Sequence, residues 1–308
     1  MSTLRPRGRI RRDRRDFLAR VRSGAGVRVK IWGCRGSVPT PGPDTVTYGG
    51  NTSCVEVFAD DGTTFVLDAG TGIRGLGLDL LERGIGRIHL CLTHLHLDHL
   101  EGLRFFAPLW DERVELDIWG PPSHELSLQE RIARAFSPPL FPVDLRDVPA
   151  ALTFHDVPRE PWAIGRTTLA ADFVLHPGPT IGYRIETAGA SFAYIPDHEP
   201  ALAGTIADRS TDWISGASLA EGVDALIHDS QYFEDEYEQR IGWGHSSVAD
   251  AVAFTGAVGA RRLVLFHHEP HHSDGLLEQL EDRARELAIR NRGPSPMLAH
   301  EGMVVELP

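Results

Sequence analysis

The sequence has few features of a secreted or membrane protein. Its three cysteines, Cys34, Cys54 and Cys91, are sparse and odd in number, and none forms a Cys-x-x-Cys pair, which argues against a disulfide framework. No run of 18 or more apolar residues is present, so no transmembrane helix is expected. No apolar signal core follows the N-terminus either. These absences predict a cytoplasmic protein that does not associate with membranes.

Positive charge is also scarce. The 308 residues include 31 Lys and Arg against 43 Asp and Glu, a formal net charge of −12. Affinity for a nucleic-acid backbone comes mainly from Lys and Arg, so this balance disfavours a broad surface for a large nucleic acid. With 42% hydrophobic residues the chain is long enough to bury a substantial core as one large domain or two ordinary ones.

The N-terminus differs from the rest of the chain. Nine arginines lie between Arg5 and Arg22. We interpret residues 1–27 as an Arg-rich extension, either a solvated tail or surface helix, or a contact arm for an acidic partner or nucleic acid. Residues 28–308 contain no linker, internal repeat or low-complexity stretch, and we expect them to form a single domain.

Residue patterning after position 27 alternates between strands and helices, which indicates an α/β sandwich. The pattern predicts helices over residues 73–82, 126–136, 202–208, 246–258 and 275–290. It predicts strands over residues 27–32, 53–59, 64–68, 87–93, 115–119, 152–157, 167–175, 181–187, 191–195, 225–228, 262–266 and 302–307.

Four side chains that can bind metal lie within six residues, directly after the predicted strand 87–93. They are His94, His96, Asp98 and His99. His94 and His96 alternate and therefore face one side of an extended segment, whereas the adjacent Asp98 and His99 can serve a second ion. Imidazole and carboxylate ligands suit zinc, manganese or iron, among which we favour zinc. A chance polar turn is the alternative, and the spacing of these residues between leucines disfavours it.

Residues 93–99, Thr-His-Leu-His-Leu-Asp-His, resemble the signature of the metallo-β-lactamase fold superfamily. Four later features resemble that superfamily in chain order: Asp68 in Leu-Asp-Ala-Gly, His176 before Pro-Gly, Asp197 after Tyr-Ile-Pro, and His267 after Leu-Val-Leu-Phe. The resemblance covers roughly residues 28–308. It implies an αββα four-layer sandwich whose metal site lies at one edge, between the two sheets.

The resemblance also implies a ligand set for two divalent ions. One ion would be held by His94, His96 and His176, the other by Asp98, His99 and His267, with Asp197 between them and Asp68 behind the ligands. Two ions about 3.5–4 Å apart lower the pKa of a bridging water to give hydroxide and stabilise the charged oxygens of a displacement. His268 is an alternative to His267 as the last ligand.

Two downstream elements resemble ribonuclease Z and its relatives. Residues 242–247, Gly-Trp-Gly-His-Ser-Ser, are similar to the Gly-His-Ser-Thr element of that group, and residues 226–230, Leu-Ile-His-Asp-Ser, to its His-Glu-Ala-Thr element. The resemblance implies that Asp229, in place of glutamate, orients His245, which donates a proton to the leaving alkoxide. We assign both residues, with Asp98, to catalysis. The alternative is that His245 only begins the helix 246–258.

These features favour a phosphoric diester hydrolase, because two cations and a protonated histidine suit the charge of a phosphodiester transition state. Only 20 residues, 177–196, separate His176 from Asp197 and are patterned as a hairpin, which leaves no room for the tRNA-clamping arm of ribonuclease Z. We expect a small substrate, such as a cyclic nucleotide, and leave homodimerisation open. The alternatives are a lactone, carboxylic ester or thioester hydrolase, a tRNA-processing endonuclease, and a non-catalytic sensor.

Other residues near these motifs are candidates for supporting roles. Arg35, Ser37 and Asn51 lie in Gly-rich segments and are expected either to contact a phosphate or base, or to serve the turns themselves. His228 precedes Asp229 and is expected to lie behind the ligands.

Overall fold

The computed structural model describes residues 27–200, 202, 204–206 and 209–308. The Arg-rich extension, apart from Val27, and parts of the helix predicted over residues 202–208 lie outside this range. Among the described residues, no helix combines the length and apolar character needed to cross a bilayer.

Fourteen strands are described. In chain order, β1 to β14 are Arg28–Gly33, Cys54–Phe58, Thr64–Leu67, Arg87–Cys91, Glu115–Gly120, Ala151–Asp156, Trp162–Ile164, Thr167–Phe173, Ile181–Thr187, Ala190–Ile195, Ala225–Asp229, Leu263–Phe266, Met297–Leu298 and Val304–Glu306. They form two seven-stranded sheets, in the orders β14-β1-β2-β3-β4-β5-β6 and β13-β12-β11-β10-β9-β8-β7.

Seven α-helices are described, together with short 3₁₀ turns. In chain order, α1 to α7 are Ile73–Arg83, Leu97–Leu100, Leu128–Ala133, Ala217–Ala220, Glu234–Glu238, Val248–Val258 and Asp274–Asn291. Their ends follow capping chemistry. The Ser247 and Ser273 side chains accept from the backbone N–H of Asp250 and Leu276 at the starts of α6 and α7, and α1 ends at Gly84 with φ 74°.

Each sheet has an antiparallel part and a parallel part. In the first sheet β1, β2 and β3 pair antiparallel, whereas β3, β4, β5 and β6 pair parallel. In the second sheet β7 to β10 pair antiparallel, whereas β10, β11, β12 and β13 pair parallel. Parallel strands carry their carboxyl ends to one edge, so the loops that follow them are brought together.

Three apolar clusters separate four layers, which confirms the expected αββα sandwich. The central cluster joins inward residues of both sheets, such as Phe65 and Leu67 of the first and Tyr194 and Phe266 of the second. Val66, which points to the other face of β3, belongs to the cluster under α1. A third cluster packs α6 and α7 against the second sheet.

Apart from the helix predicted over residues 202–208, which lies partly outside the described residues, each predicted helix and strand has a counterpart whose ends differ by a few residues. The helix predicted over residues 126–136 is limited to α3, which Ser127 and Glu130 begin with a reciprocal capping box. The helix predicted from residue 246 begins two residues later, because the Ser247 side chain caps it. Strand β7 and helix α5, of three and five residues, are too short for a pattern to predict.

Candidate metal centre

The candidate ligands lie where parallel strands end. Asp68 follows β3 and His94 comes shortly after β4, whereas Asp197 and His267 follow β10 and β12 of the opposite sheet. Asp229 is the last residue of β11. Residues far apart in the chain therefore meet at one edge of the sandwich, between the two sheets.

Four overlapping groups of potential ligand atoms form there among the described residues, and the atoms of each group lie within 4.8 Å of one another. Two groups share no residue: the first consists of His94, His96 and His176, and the second of Asp98, His99, Asp197 and His267. The other two contain His245, either with His176 and Asp197 or with Asp229 and His267. The first group opens to solvent at His96, whereas all four members of the second are buried. These are the two sets that the resemblance implied.

Asp197 lies between the two groups. Its Oδ2 atom is 3.8 Å from Nε2 of His94 and 3.7 Å from Nε2 of His176, in the first group. The same oxygen is 3.3 Å from Nε2 of His267, and Oδ1 is 3.0 Å from Nε2 of His99. A carboxylate placed in this way can reach an ion on either side.

Hydrogen bonds hold four of the imidazole rings by Nδ1. Nδ1 of His99 lies 2.8 Å from Oδ2 of Asp68, and Nδ1 of His176 lies 2.7 Å from the Gly244 carbonyl oxygen. Nδ1 of His267 lies 3.0 Å from Oε1 of Gln231, and Nδ1 of His94 lies 3.1 Å from the Thr93 hydroxyl. Each partner accepts, so Nδ1 carries the proton and Nε2 presents its lone pair to the centre.

The donor set fits divalent metal ions. Nε2 of His94 and Oδ1 of Asp197 are buried and have no hydrogen-bond partner within the described part of the chain. Buried polar atoms of this kind are costly unless something else satisfies them. Imidazoles whose Nε2 atoms point inward, together with two carboxylates, form the nitrogen and oxygen set that zinc, manganese and iron bind.

The charges of the site also favour a cation. Burial alone would lower the pKa of His99, but the carboxylates of Asp197, Asp98 and Asp68 raise it well above its ordinary value. Burial would likewise raise the pKa of Asp197, but the neighbouring imidazoles hold it well below its ordinary value. The pKa of His176 falls to about 4, mainly through burial. Three buried carboxylates thus draw positive charge toward a set of otherwise neutral imidazoles.

Asp68 anchors the ligand loops from behind. It accepts hydrogen bonds from the Thr93 backbone N–H at 2.7 Å, from the His99 ring at 2.8 Å and from the Tyr194 hydroxyl at 3.0 Å. Its backbone takes φ 60°, a conformation that aspartate tolerates better than most residues. Asp68 therefore lies behind the ligands, as expected. The pattern did not reveal Tyr194, which belongs to an ordinary buried strand.

The loop after β1 contacts two members of the second ligand group, Asp98 and His267. The Ser37 backbone N–H donates to Oδ2 of Asp98 at 2.7 Å, and the Ser37 side chain is exposed beside the centre. At Gly36, a Cβ atom would lie 2.5 Å from the ring of His267, so only glycine permits this approach. Gln231, which the sequence did not single out, links His267 to Oε2 of Glu269.

His245 is hydrogen-bonded to Asp229, and its ring lies beside one histidine of each ligand group. Oδ2 of Asp229 is 2.7 Å from Nδ1 of His245, and the ring centroid of His245 is 4.9 Å from that of His176 and 4.8 Å from that of His267. Burial would lower the pKa of His245, but Asp229 outweighs it and raises the pKa to about 8. The pair can supply a proton at the edge of the centre.

Glu199 holds the loop that carries His245, and the sequence did not single it out. Its buried carboxylate accepts from the Tyr237 hydroxyl at 2.8 Å and from the backbone N–H groups of Gly242 at 2.9 Å and Gly244 at 2.8 Å. Both glycines take positive φ, at 86° and 89°. The only sequence signal for this role was a glutamate two residues after Asp197.

Two candidate substrate residues prove to be structural. Arg35 is fully buried, and its guanidinium donates to the carbonyl oxygens of Gly49, Glu269 and His272 at 2.8, 3.2 and 2.7 Å. Of the two roles expected for Arg35, these contacts fit support of the turns rather than contact with a phosphate or base, since the carbonyls hold the side chain inside the fold. The Asn51 amide donates to the Glu301 carboxylate at 3.1 Å, so this side chain also serves the loops.

Two further histidines lie outside both ligand groups. The His268 ring points away from the centre and donates from Nε2 to the Ala299 carbonyl oxygen at 2.8 Å. His267 alone of this pair therefore faces the candidate ions. His228 is buried, with Nε2 2.9 Å from Nδ1 of His198, the residue after Asp197. It supports the chain behind that ligand, as expected.

The amino-acid sequence matches known proteins over most of its length. Residues 63–268 match the model of a family described as the beta-lactamase superfamily domain. A protein named ribonuclease Z from Haloarcula marismortui is 26% identical over 297 residues, covering 84% of this chain and 91% of that protein. One of the same name from a Mycobacterium species is 28% identical over 290 residues, covering 84% and 89%.

Solved structures share the fold at lower identity. The metallo-β-lactamase fold protein YhfI from Bacillus subtilis has a TM-score of 0.66 and 18% identity, covering 91% of this chain and 98% of its own. Human tRNase Z, short form, has a TM-score of 0.61 and 20% identity, covering 91% and 99%. Zinc-bound PqqB from Methylobacterium extorquens has a TM-score of 0.64 and 18% identity, covering 90% and 99%.

Proposed function

The chain belongs to the β-lactamase superfamily, and on this premise we propose that it is a dinuclear metal-dependent phosphodiesterase of the ribonuclease Z-like branch. Its substrate is a small phosphodiester, such as a cyclic nucleotide, and His245 acts as the general acid. Hydrolysis adds water across one P–O ester bond and releases a phosphomonoester and an alcohol.

His94, His96 and His176 would hold one ion, and Asp98, His99 and His267 the other, with Asp197 serving both. When bound, the ions supply Lewis acidity and lower the pKa of the attacking water. The remaining residues orient these ligands. Asp68, Gln231 and the Gly244 carbonyl oxygen fix the imidazole tautomers, and the Ser37 backbone N–H fixes Asp98.

The pairing of Asp229 with His245, at 2.7 Å beside both ligand groups, is the observation that carries the proposal. Asp229 also accepts from the backbone N–H groups of His198 and Gln231, both at 3.0 Å, so its position is set from several sides. The carboxylate holds the Nδ1 proton of His245 and stabilises the charged ring. Nε2 is then free to protonate the oxygen that leaves phosphorus as the ester bond breaks.

A small substrate is favoured by the segment between His176 and Asp197. Most of it folds into β9 and β10, which pair antiparallel through a tight turn, so no arm is inserted there. Processing of tRNA is the second candidate, because the relatives that match most of the chain are named ribonuclease Z. A precursor tRNA with a 3′ trailer, incubated with the metal-loaded protein, tests it directly.

Hydrolysis of bis(p-nitrophenyl) phosphate by protein loaded with zinc or manganese tests the proposal. Asp98→Ala is expected to abolish this activity. The acid role is tested on a cyclic nucleotide, whose alkoxide leaving group needs a proton, and there His245→Asn should lower kcat by about 10²–10⁴-fold, the usual contribution of a general acid. His300→Asn, an exposed histidine outside both ligand groups, is the matched control and should leave activity intact. Full activity of His245→Asn on the cyclic nucleotide would contradict the acid role.

Lactones and thioesters, assayed in parallel, test hydrolysis of carboxylic esters. Their efficient turnover, independent of His245, together with no activity on the phosphodiester, would replace the proposed function with that alternative.

A further inference from the structure

A cavity of about 440 Å³ adjoins the solvent-open side of the first ligand group. His94 and His96 form part of its wall, and the rest comes from residues 95–100, 123–140 and 177–179. Its volume lies within the range of about 300–1,000 Å³ that small-molecule sites occupy. We call it the Leu140 cavity.

The walls of the Leu140 cavity are mainly apolar, with Leu95, Leu100, Pro177 and Pro179 among the lining residues. Two further leucines of the lining, Leu97 and Leu140, are 66% and 68% exposed. Apolar side chains that are left in water around a concave site are characteristic of ligand-binding surfaces. The cavity therefore suits the organic part of a substrate rather than its phosphate.

Besides the two histidines, the Leu140 cavity has four polar residues in its lining: Ser123, Glu125, Arg131 and Arg134. Arg131 donates to the Pro121 carbonyl oxygen, whereas Arg134 forms no ion pair with any residue in the described range. A cation and a carboxylate beside apolar walls can hydrogen-bond the edges of a planar, partly polar group. A nucleobase combines such edges with two apolar faces.

The proposed acid does not line the cavity, but it lies next to one of its walls. Every residue that lines the cavity falls between residues 94 and 179, and neither His245 nor Asp229 is among them. The His245 ring lies beside those of His176 and His267, and His176 directly precedes Pro177 of the lining. With the leaving group beside His245, the other ester substituent can extend over the first ligand group into the cavity.

We propose that the Leu140 cavity binds the ester group that stays on phosphorus, and that it selects a flat, largely apolar group of the size of a phenyl ring or a nucleobase. This inference rests on the proposed phosphodiesterase function. It makes the cavity the determinant of substrate preference, since the metal centre itself contacts only the phosphate and the attacking water.

Three diesters that share the p-nitrophenolate leaving group test this proposal, with methyl, phenyl or 5′-thymidyl as the retained group. The wild-type protein, loaded with metal, should hydrolyse the phenyl and thymidyl esters with kcat/KM at least about 10-fold above the methyl ester. Leu140→Ala should reduce that preference to a few-fold. Leu78→Ala on α1, a leucine 55% exposed and outside the cavity lining, is the matched control and should keep the preference.

Binding of the products gives a readout that does not depend on turnover. Isothermal titration calorimetry should find that phenyl phosphate and thymidine 5′-phosphate bind more tightly than methyl phosphate. In Leu140→Ala the first two should weaken while methyl phosphate changes little. Because Leu140 is exposed, the variant is expected to fold, and its circular dichroism should match that of the wild type.

The outcomes separate this inference from the proposed function. Hydrolysis of all three esters with no preference, or with a preference that Leu140→Ala leaves unchanged, overturns the role of the cavity and leaves the phosphodiesterase standing. Hydrolysis of none of them contradicts the proposed function and this inference with it.

Discussion

His176 donates its Nδ1 proton to the carbonyl oxygen of Gly244, 2.7 Å away. The residue after Gly244 is His245, whose ring centroid is 4.9 Å from that of His176. A candidate ligand of the first ion is thus held by the loop that carries the proposed acid. Displacement of this loop would disturb both the ligand and the acid.

Glu199→Gln should disturb the loop without touching the metal ligands. The glutamine amide offers N–H groups where the carboxylate accepts from Gly242 and Gly244, so these buried donors lose partners. We expect metal affinity at the first group to fall by about 10- to 100-fold, and activity to fall with it. Metal content by mass spectrometry and kcat/KM on bis(p-nitrophenyl) phosphate measure the two effects.

Glu238→Gln is the control for this change, because Glu238 is exposed at the end of the nearby helix α5. It should behave as the wild type. Unchanged metal affinity and activity in Glu199→Gln would show that the loop does not depend on this carboxylate.

Gly36→Ala should act on the second group through steric contact alone. The new Cβ would lie 2.5 Å from the His267 ring, so either the ring or the loop must move. Overpacking of this kind costs about 1–3 kcal/mol of folding free energy. We expect metal stoichiometry to fall from two ions toward one per chain. Gly86→Ala is the matched control, because its Cβ would lie 3.7 Å from the Arg113 carbonyl oxygen, an ordinary contact.

His267→Ala and His268→Ala should have different effects. Removal of His267 takes a ligand atom from the second group, so metal stoichiometry and activity should both fall. Removal of His268 leaves the Ala299 carbonyl oxygen without its donor, which should cost about 1–3 kcal/mol of stability. His268→Ala should still bind two ions. Loss of metal from His268→Ala alone would reverse this assignment.

Removal of metal should destabilise the protein. Without cations, the buried carboxylates Asp98 and Asp197 face only imidazoles. Bound ions stabilise the folded state because the unfolded chain does not bring the ligands together. At 100 times the Kd, one ion contributes about 2.7 kcal/mol, and Tm should fall by roughly 5 °C or more after dialysis against a chelator. Zinc should restore it, as followed by scanning calorimetry. An identical zinc response in a His94→Ala, His99→Ala double variant would place the ions elsewhere.

Most of the fold could be predicted because its signals are local. Alternating and continuous apolar runs marked all the strands except β7 and β13, and apolar spacing placed α6 and α7 to within two residues of their starts. The helix predicted over residues 126–136 was too long, since apolar spacing continues beyond the hydrogen-bonded turns of α3. The four layers came from the family resemblance rather than from these patterns, and the order of strands in each sheet was not predicted.

The candidate ligands were accessible to sequence reasoning because their side chains must be histidine or aspartate and must follow strands. The residues behind them were not. Tyr194, Gln231 and Glu199 act through single hydrogen bonds to atoms distant in the chain, which no local pattern records. The two roles expected for Arg35 could not be separated for the same reason, since an arginine in a glycine-rich loop resembles an anion contact until its carbonyl partners are known.

The sequence by itself therefore determined which side chains can bind metal and where strands place them. The tertiary structure decided which of them meet. Residues 267 and 268 are both histidines. The chain leaves β12 with φ 62° at His267, which directs the His267 ring to the centre, whereas the His268 ring donates a hydrogen bond to the Ala299 carbonyl oxygen. Backbone direction at a strand end depends on packing between two sheets, and packing depends on the whole chain at once.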